Sequence, residues 1–191
     1  MAQIYVVGHK NPDNDSIMAA YTYANLKNMT DSENTYVPVR LGELPAESAM
    51  LFDEYGIEPP ALIERVGEGD VLVLVDHNEM GQAVDGIEDA EVAEIIDHHR
   101  IADVSTSAPI TFINLPWGST TSIITKLYEY FGITTDEQIA ACLLSAILTD
   151  TVILKSPTAT ETDAKHVEKL AKVLDVDPVE FGMRIFKSRG G

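Results

Sequence analysis

Residues 4–28 have the sequence IYVVGHKNPDNDSIMAAYTYANLKN, a short β-branched run followed by a polar loop and a longer segment. The run at 4–8 predicts a strand. The segment at 15–28 predicts a helix, because its apolar residues recur every three or four positions and an Asp-Ser pair is typical of a helix start. A strand followed closely by a helix is the repeating unit of a parallel sheet covered by helices.

The alternation of strand and helix continues through the first half of the chain. Patterns of the same kind predict further strands and one further helix. The strands are expected at 35–40, 71–75 and 92–96, with a weaker one at 111–115, and the helix at 45–55.

After Gly118 the pattern becomes helical and stays so to the last amphipathic segment, which follows Pro178. Pro38 lies inside a predicted strand and indicates an edge or a bulge, since proline lacks the backbone donor of a central strand. No internal repeat and no Gly/Ser-rich linker interrupts the pattern, which favours one domain. We therefore predict an α/β fold with a mainly parallel sheet of five or six strands flanked by helices.

Composition limits the classes of function. The chain has 191 residues, with 31 acidic and 13 basic side chains and a net charge of −18. Such a balance disfavours binding to nucleic acid. Most of the carboxylates, for example Glu88, Asp89, Glu91 and Glu94, are expected to form a solvated face.

The expected location is the cytoplasm, without a membrane segment. No stretch approaches the roughly 20 apolar residues that span a bilayer, and the first residues lack the pattern of a secretory signal. The single cysteine, Cys142, lies in an apolar run and is expected to be a buried thiol in a reducing compartment.

Acidic and imidazole side chains follow four of the predicted elements. Side chains at the carboxyl ends of parallel strands can converge, because these ends meet at one edge of the sheet. An unpaired carboxylate at the end of an apolar helix would be costly to bury, and a cation would offset that cost. The residues of these groups that could bind metal are His9, Asp13, Asp15, Asp76, His98 and Asp150.

Each group also has an ordinary interpretation. Residues 9–16 contain Asn-Pro-Asp and Asp-Ser, which are common in turns and helix caps. Asp76 can be a simple loop residue after its strand. The adjacent His98 and His99 are less common after a buried strand and favour metal binding. The hypothesis of a metal site therefore depends on the groups taken together.

The residue types indicate the metal and the reaction. Mixed carboxylate and imidazole ligands favour manganese or cobalt over calcium, which prefers oxygen, and over structural zinc, which favours thiolates. Two neighbouring divalent ions activate a water and neutralise charge on a phosphoryl group. We therefore expect hydrolysis of a phosphoester or a phosphoanhydride.

Five motifs contain or flank these residues, and in chain order they are GHKNPDNDSI, LVDHNE, IDHHRI, WGSTTSIITKLY and ILTDTVILKSPT. Together they resemble the motifs of the family II, manganese-dependent inorganic pyrophosphatases of the DHH phosphoesterase superfamily. The resemblance implies a DHH-type fold and hydrolysis of pyrophosphate, with two Mn²⁺ (or Co²⁺) as cofactors and Mg²⁺ accompanying the substrate.

The resemblance also assigns roles to residues. His9 and Asp13 would hold one ion, Asp15 and His98 the other, and Asp76 and Asp150 would be shared. Asp97 would orient an imidazole by accepting its other ring proton, and His99 would donate a hydrogen bond or a proton near the substrate. His77, Asn78 and Glu79 would support Asp76, whereas His166 is expected to be exposed.

Family members have a second, C-terminal domain that supplies lysine and arginine to grip pyrophosphate. We therefore expect a DHH catalytic, metal-binding domain at 1–186, with 187–191 as the start of a linker to that domain, which is missing here. A chain trimmed to its catalytic domain is favoured over a natural short protein. By itself it is expected to bind manganese but to be weakly active or inactive.

Further partners and rival functions follow from the same resemblance. Family members pair through this domain, so a homodimer is expected. One rival is a DHH-type phosphodiesterase or oligoribonuclease, or a nucleotide bisphosphate phosphatase. Another is a metal-binding dimerisation domain without activity of its own. The acidic composition and the scarcity of basic and aromatic residues argue against a nucleic-acid substrate.

Overall fold

The computed structural model describes residues 2–190, which form a six-stranded sheet and six α-helices. The strands are β1 (Ala2–Val7), β2 (Asn34–Arg40), β3 (Ala61–Leu62), β4 (Val71–Val75), β5 (Glu91–Asp97) and β6 (Thr111–Asn114). The helices are α1 (Asn14–Thr30), α2 (Ala46–Glu54), α3 (Thr120–Tyr130), α4 (Glu137–Asp150), α5 (Glu161–Leu174) and α6 (Pro178–Arg189).

The strands lie in the order β3-β2-β1-β4-β5-β6, and every neighbouring pair is parallel. The prediction of a mainly parallel sheet flanked by helices is therefore confirmed. Strand β3 was not predicted, because two residues are too few to show a pattern. It pairs only with Val39 and Arg40, so β2 has β1 as its single partner at Pro38. Pro38 thus lies at a local edge, where its missing donor costs little.

The order in which successive strands are added across the sheet reverses between β1 and β4. Successive strands run outward from β1 to β3 and, on the other side, from β4 to β6. Because parallel crossovers are right-handed, the two sets of connections lie on opposite faces. The first set carries α1, which packs on β1, β2 and β4. The crevice at such a reversal is where open α/β sheets bind their ligands.

Alternate side chains of the strands enter two hydrophobic cores. Val6, Val73 and Ile96 face the larger core, to which the helices contribute. Their sequence neighbours face a smaller core, covered by the irregular β4–β5 and β5–β6 connections through Val84 and Val104. Helix α4 is buried along most of its length in the larger core, and the prediction that Cys142 is buried there is confirmed. Between residues 2 and 190, no helix is long and apolar enough to cross a membrane.

One expectation about the acidic residues is wrong. Glu88, Asp89 and Glu91 are exposed, but Glu94 is only 8% exposed. Its carboxylate accepts a hydrogen bond from the Tyr23 hydroxyl at 2.5 Å and lies 3.1 Å from Lys27 Nζ. Glu94 faces the larger core from β5, so it needs these partners, which α1 supplies.

The C-terminal residues continue the last helix. Residues 187–189, predicted to begin a linker, form the final turn of α6, and Met1 and Gly191 lie outside the described residues. Arg189 Nε contacts the buried Glu47 carboxylate of α2 at 2.6 Å. The division of the chain at residue 186 stays a prediction.

Candidate metal centre

The six predicted ligand residues lie together at the carboxyl end of the sheet. They come from the loop after β1, the start of α1, the ends of β4 and β5, and the end of α4. In each of two groups drawn from these six residues, one potential ligand atom per residue lies within 4.8 Å of all the others. The first group is His9, Asp13 and Asp76, and the second is Asp15, Asp76, His98 and Asp150. A further group of the same kind joins His99 to Asp76 and His98.

Asp76 belongs to both groups because its two oxygens face different imidazoles. Oδ2 lies 3.3 Å from His9 Nε2, and Oδ1 lies 3.3 Å from His98 Nε2. His98 Nε2 also lies 3.4 Å from Asp150 Oδ2. Asp150 thus falls in the second group alone, and its sharing between two ions stays a prediction.

The backbone around Asp76 and His9 has unusual features. Asp76 adopts a left-handed conformation with φ 63°, which turns the chain sharply at the end of β4. A side chain at Gly8 would lie 1.8 Å from Ser16 Oγ, so only glycine allows this approach of β1 to α1. Ser16 Oγ then accepts from the backbone N–H of His9 at 3.0 Å.

Two imidazoles have their tautomers fixed by carbonyl groups. His9 Nδ1 donates to the Lys10 carbonyl at 2.7 Å, and His98 Nδ1 donates to the Trp117 carbonyl at 2.9 Å. Each Nε2 is left facing carboxylates, as in metal-binding histidines. His98 Nε2 and Asp76 Oδ2 are buried without a hydrogen-bond partner. Buried polar atoms of this kind require compensation, and divalent cations held by the two groups would provide it, so the residues fit a metal.

Asp15 is completely buried and is held by the N-terminus of α3. Its Oδ2 accepts from the backbone N–H of Thr120 at 2.9 Å. Its Oδ1 accepts from the backbone N–H and hydroxyl of Thr121, at 3.1 and 2.7 Å. A helix N-terminus stabilises an anion through its free N–H groups and its dipole.

The pKa values of the predicted ligands are shifted because several of their carboxylates lie close together. Burial, with Asp150 and Asp76 nearby, raises the pKa of Asp15. Burial alone would lower the pKa of His9 and His98, but the carboxylates that face their Nε2 atoms outweigh it and raise these pKa values to about 11 and about 12. Protons on the imidazoles and divalent ions therefore compete for the same positions.

His99 pairs with Asp97 beside Asp76 and His98. Asp97 Oδ1 accepts from His99 Nδ1 at 2.7 Å and from the backbone N–H of His98 at 2.8 Å. Asn78 Nδ2 donates to Asp97 Oδ2 at 2.7 Å. The hydrogen bond to Asp97 raises the pKa of His99, so this ring holds a proton more strongly than a free imidazole.

The residues after Asp76 line and support the neighbouring cavity. His77 is buried and donates through Nδ1 to the Val75 carbonyl at 2.8 Å. Asn78 Oδ1 accepts from the backbone N–H of Ala102 at 2.6 Å. A cavity of about 490 Å³ opens here, lined by His9, Asp76, His77, Asn78, Glu79, Gln82, His99 and Arg100.

Several buried polar residues around the centre were not found from the sequence. His166, expected to be exposed, is 4% exposed and contacts Ser122 Oγ at 2.8 Å, so that expectation is wrong. Asn14 is buried between two predicted ligands, and its Oδ1 accepts from Ser48 Oγ at 2.7 Å. Its place between two aspartates in PDND was the available signal.

The turn after Asp150 was also missed. Val152, Ile153 and Leu154 all have left-handed backbones, with φ of 51°, 54° and 63°. Each such residue costs on the order of 1–2 kcal/mol. Thr151 Oγ1 stabilises the turn by accepting from the backbone N–H of Leu154 at 3.0 Å.

This fold and these residues define a class of protein. The model of the DHH family, N-terminal domain, matches residues 3–147, and the chain belongs to that family.

Among curated relatives, a manganese-dependent inorganic pyrophosphatase of Methanothrix thermoacetophila is 46% identical over 186 residues, covering 97% of this chain and 59% of that protein. A probable manganese-dependent inorganic pyrophosphatase of Oceanobacillus iheyensis is 44% identical over 188 residues, covering 98% and 60%. The chain thus spans about 60% of the length of these relatives.

The fold has a close counterpart among solved structures. A Methanococcus jannaschii protein, described as a candidate family II inorganic pyrophosphatase, superposes with a TM-score of 0.88. It is 38% identical in sequence, and the match covers 97% of this chain and 61% of that protein.

Proposed function

We propose that this chain is the metal-binding part of a manganese-dependent inorganic pyrophosphatase, which hydrolyses pyrophosphate to two phosphates. The observation that carries the proposal is Asp76, a buried carboxylate with one oxygen in each of two ligand groups. The names of the relatives support manganese as the metal and pyrophosphate as the substrate.

His9 and Asp13 would bind one ion, and Asp15 and His98 the other. Asp76 would be shared, and from the family resemblance so would Asp150. Manganese or cobalt suits this mixture of imidazole and carboxylate ligands. When bound, such a pair of ions lowers the pKa of a water and neutralises negative charge on a phosphoryl group.

The residues beside the metal centre have roles of their own. His99 would hold a proton on Nε2 and donate it to the leaving phosphate, while Asp97 keeps the ring oriented through Nδ1. Asp97 engages Nδ1, which leaves Nε2 as the ring nitrogen that would meet a substrate. Arg100 is 84% exposed at the side chain and lines the same cavity, where it would meet one phosphate, with Mg²⁺ accompanying the substrate.

We also propose that 1–186 is the catalytic domain and that 187–191 leads into a C-terminal clamping domain. A net charge of −18 repels a tetra-anionic ligand, so the 191-residue chain by itself would hydrolyse pyrophosphate weakly or not at all. Homodimer formation and a cytoplasmic location are part of the same proposal.

Manganese stoichiometry and phosphate release test the proposal together. The wild-type chain should bind two Mn²⁺, as counted by calorimetry or by the loss of the free Mn²⁺ resonance signal. Asp76→Asn should lose at least one ion, while Glu88→Gln, which changes the same charge on an exposed residue, should bind both. Phosphate release from pyrophosphate should be slow and abolished in Asp76→Asn.

Two results would count against the proposal. A folded wild-type chain that binds no Mn²⁺ would refute the metal centre. Faster cleavage of a short RNA or a nucleotide bisphosphate than of pyrophosphate would favour the rival DHH-type enzymes.

A further inference from the structure

Residues 117–122, the holding segment, contact three of the proposed ligands. The carbonyl of its first residue accepts from His98 Nδ1 at 2.9 Å. The first turn of α3 donates backbone hydrogen bonds to Asp15, and the Thr120 hydroxyl donates to Asp76 at 3.1 Å. A displacement of this segment would therefore move three ligands of the second group together.

Helix α5 fixes the holding segment in place. Asp163 Oδ2 accepts from the backbone N–H of Gly118 at 2.9 Å. One turn later, His166 Nδ1 contacts Ser122 Oγ at 2.8 Å, and its ring lies edge-on to Trp117 with the centroids 5.9 Å apart. These contacts come from a helix beyond residues 3–147, the part that matches the family model.

Asp163 does more than cap its own helix. Its Oδ2 also accepts from the backbone N–H and the hydroxyl of Thr160, both at 2.8 Å, which completes a capping box. Capping boxes normally lie at the surface and do not require burial, whereas Asp163 is completely buried. Its third donor, from Gly118, ties it to a different element, and without these donors a buried carboxylate would be strongly unfavourable.

The contact with Gly118 leaves no space for adjustment. A Cβ added at Gly118 would lie 2.7 Å from Asp163 Oδ2 and 2.5 Å from Thr151 Cγ2. Thr151 directly follows Asp150, a further ligand of the second group. Gly118 is thus packed between the carboxylate of Asp163 and Thr151, the residue after Asp150.

We infer that Asp163 is a positioning residue for the second ligand group, acting through its hydrogen bond to Gly118 and the holding segment. The inference rests on the proposed function, because it presupposes a cation between Asp15, His98 and Asp150. Among residues 2–190, the first group, which contains His9 and Asp13, is hydrogen-bonded to the holding segment only through Asp76.

Two variants separate positioning from helix capping. Asp163→Ala removes the carboxylate half of the capping box and the bond to Gly118. Thr160→Ala removes only the hydroxyl half of the box and leaves the bond to Gly118. Both should lower thermal stability. Only Asp163→Ala should weaken the binding of one Mn²⁺ by about tenfold or more, as for partners that orient metal ligands elsewhere. The first group should bind its Mn²⁺ with nearly unchanged affinity when the second position is empty.

The measurement is a Mn²⁺ titration of the 191-residue chain, followed by calorimetry and by the resonance of free Mn²⁺. Equal affinities in wild type and Asp163→Ala would overturn the inference, as would an equal loss in Thr160→Ala. If Asp163→Ala does not fold, Gly118→Ala decides, because it keeps Asp163 and displaces the contact. That variant should show the same selective loss, and unchanged binding in it would overturn the inference. A wild-type chain without bound Mn²⁺ would instead refute the proposed function.

Discussion

Glu94 shows how one residue departs from the pattern of its neighbours. It lies in an acidic stretch that composition assigns to solvent, but it points into the larger core, where Tyr23 and Lys27 of α1 contact it. Strand β5 is bulged in its pairing with β4 between Leu72 and Val73, which a single sequence does not reveal. The inward direction of Glu94 therefore could not be predicted.

Removal of the Tyr23 hydroxyl should destabilise the protein. In Tyr23→Phe the buried Glu94 carboxylate loses a donor, and an unmet buried acceptor costs about 1–3 kcal/mol. Urea denaturation should show a lower midpoint with an unchanged slope. Tyr5→Phe is the control, since the Tyr5 side chain packs on the smaller core and its hydroxyl has no hydrogen bond among the described residues. Equal midpoints for the two variants would contradict the prediction.

The residues of the candidate site differ in how well they can be predicted from the sequence. Asp76 and His98 stand out, because charged or imidazole side chains directly follow apolar strands. Asp163 has no such signal and Asn14 has only its place between two aspartates, since the burial of both depends on helices that meet only in the tertiary fold. Residue type at the end of an element thus predicts ligand candidates but not the residues that support them.

Helix α5 has buried polar side chains that its sequence pattern does not predict. Its apolar residues recur with helical spacing, and His166 falls among charged neighbours, which favoured exposure. The structure instead directs His166 toward Ser122 and Trp117 of the neighbouring segment. Burial lowers the pKa of His166, although Glu129 and Asp163 partly offset this effect and Lys169 and Lys126 reinforce it.

This lowered pKa predicts a pH dependence of stability. Below about pH 6.5, the ordinary value for histidine, the unfolded chain binds a proton at residue 166 that the folded chain resists. The contribution of His166 to the free energy of unfolding therefore falls as the pH falls below 6.5. His166→Gln should lose less stability between pH 7 and pH 5 than wild type, as measured by denaturation at each pH. Parallel pH profiles would contradict this expectation.

The turn after α4 is a second feature that the sequence pattern does not predict. Val152 and Ile153 are β-branched and rarely adopt left-handed backbones, so sequence rules favour an extended segment or a continued helix there. Tertiary contacts override that preference: a Cβ at Gly182 of α6 would lie 2.9 Å from Ile153 Cγ1, so the turn packs directly on that helix. The ends of elements were predicted well, whereas this strained connection was not.

For the whole molecule, the alternation of patterns was enough to predict the layers. The order of strands followed only from the structure, because sequence patterns do not show where the chain reverses. That reversal between β1 and β4 brings His9 and Asp76 together, 67 positions apart in the sequence.

Manganese should stabilise the whole fold. An ion that binds only the folded state adds about 2.7 kcal/mol at 100 times its dissociation constant. For a chain of this size the melting temperature should rise by about 5–10 °C. Differential scanning calorimetry with and without Mn²⁺ measures the shift. Asp76→Asn should show a clearly smaller shift than Glu88→Gln, and identical shifts would contradict the prediction.

The two oxygens of Asp76 have a thermodynamic consequence. Asp76 belongs to both ligand groups, with one oxygen facing each. An ion that orients this carboxylate in one group would therefore also change the position of the oxygen that an ion in the other group would contact. Occupation of the two positions would therefore be cooperative, with a sign set by the balance between a pre-oriented carboxylate and repulsion of like charges. Linkage requires that each ion alter the affinity of the other by the same factor.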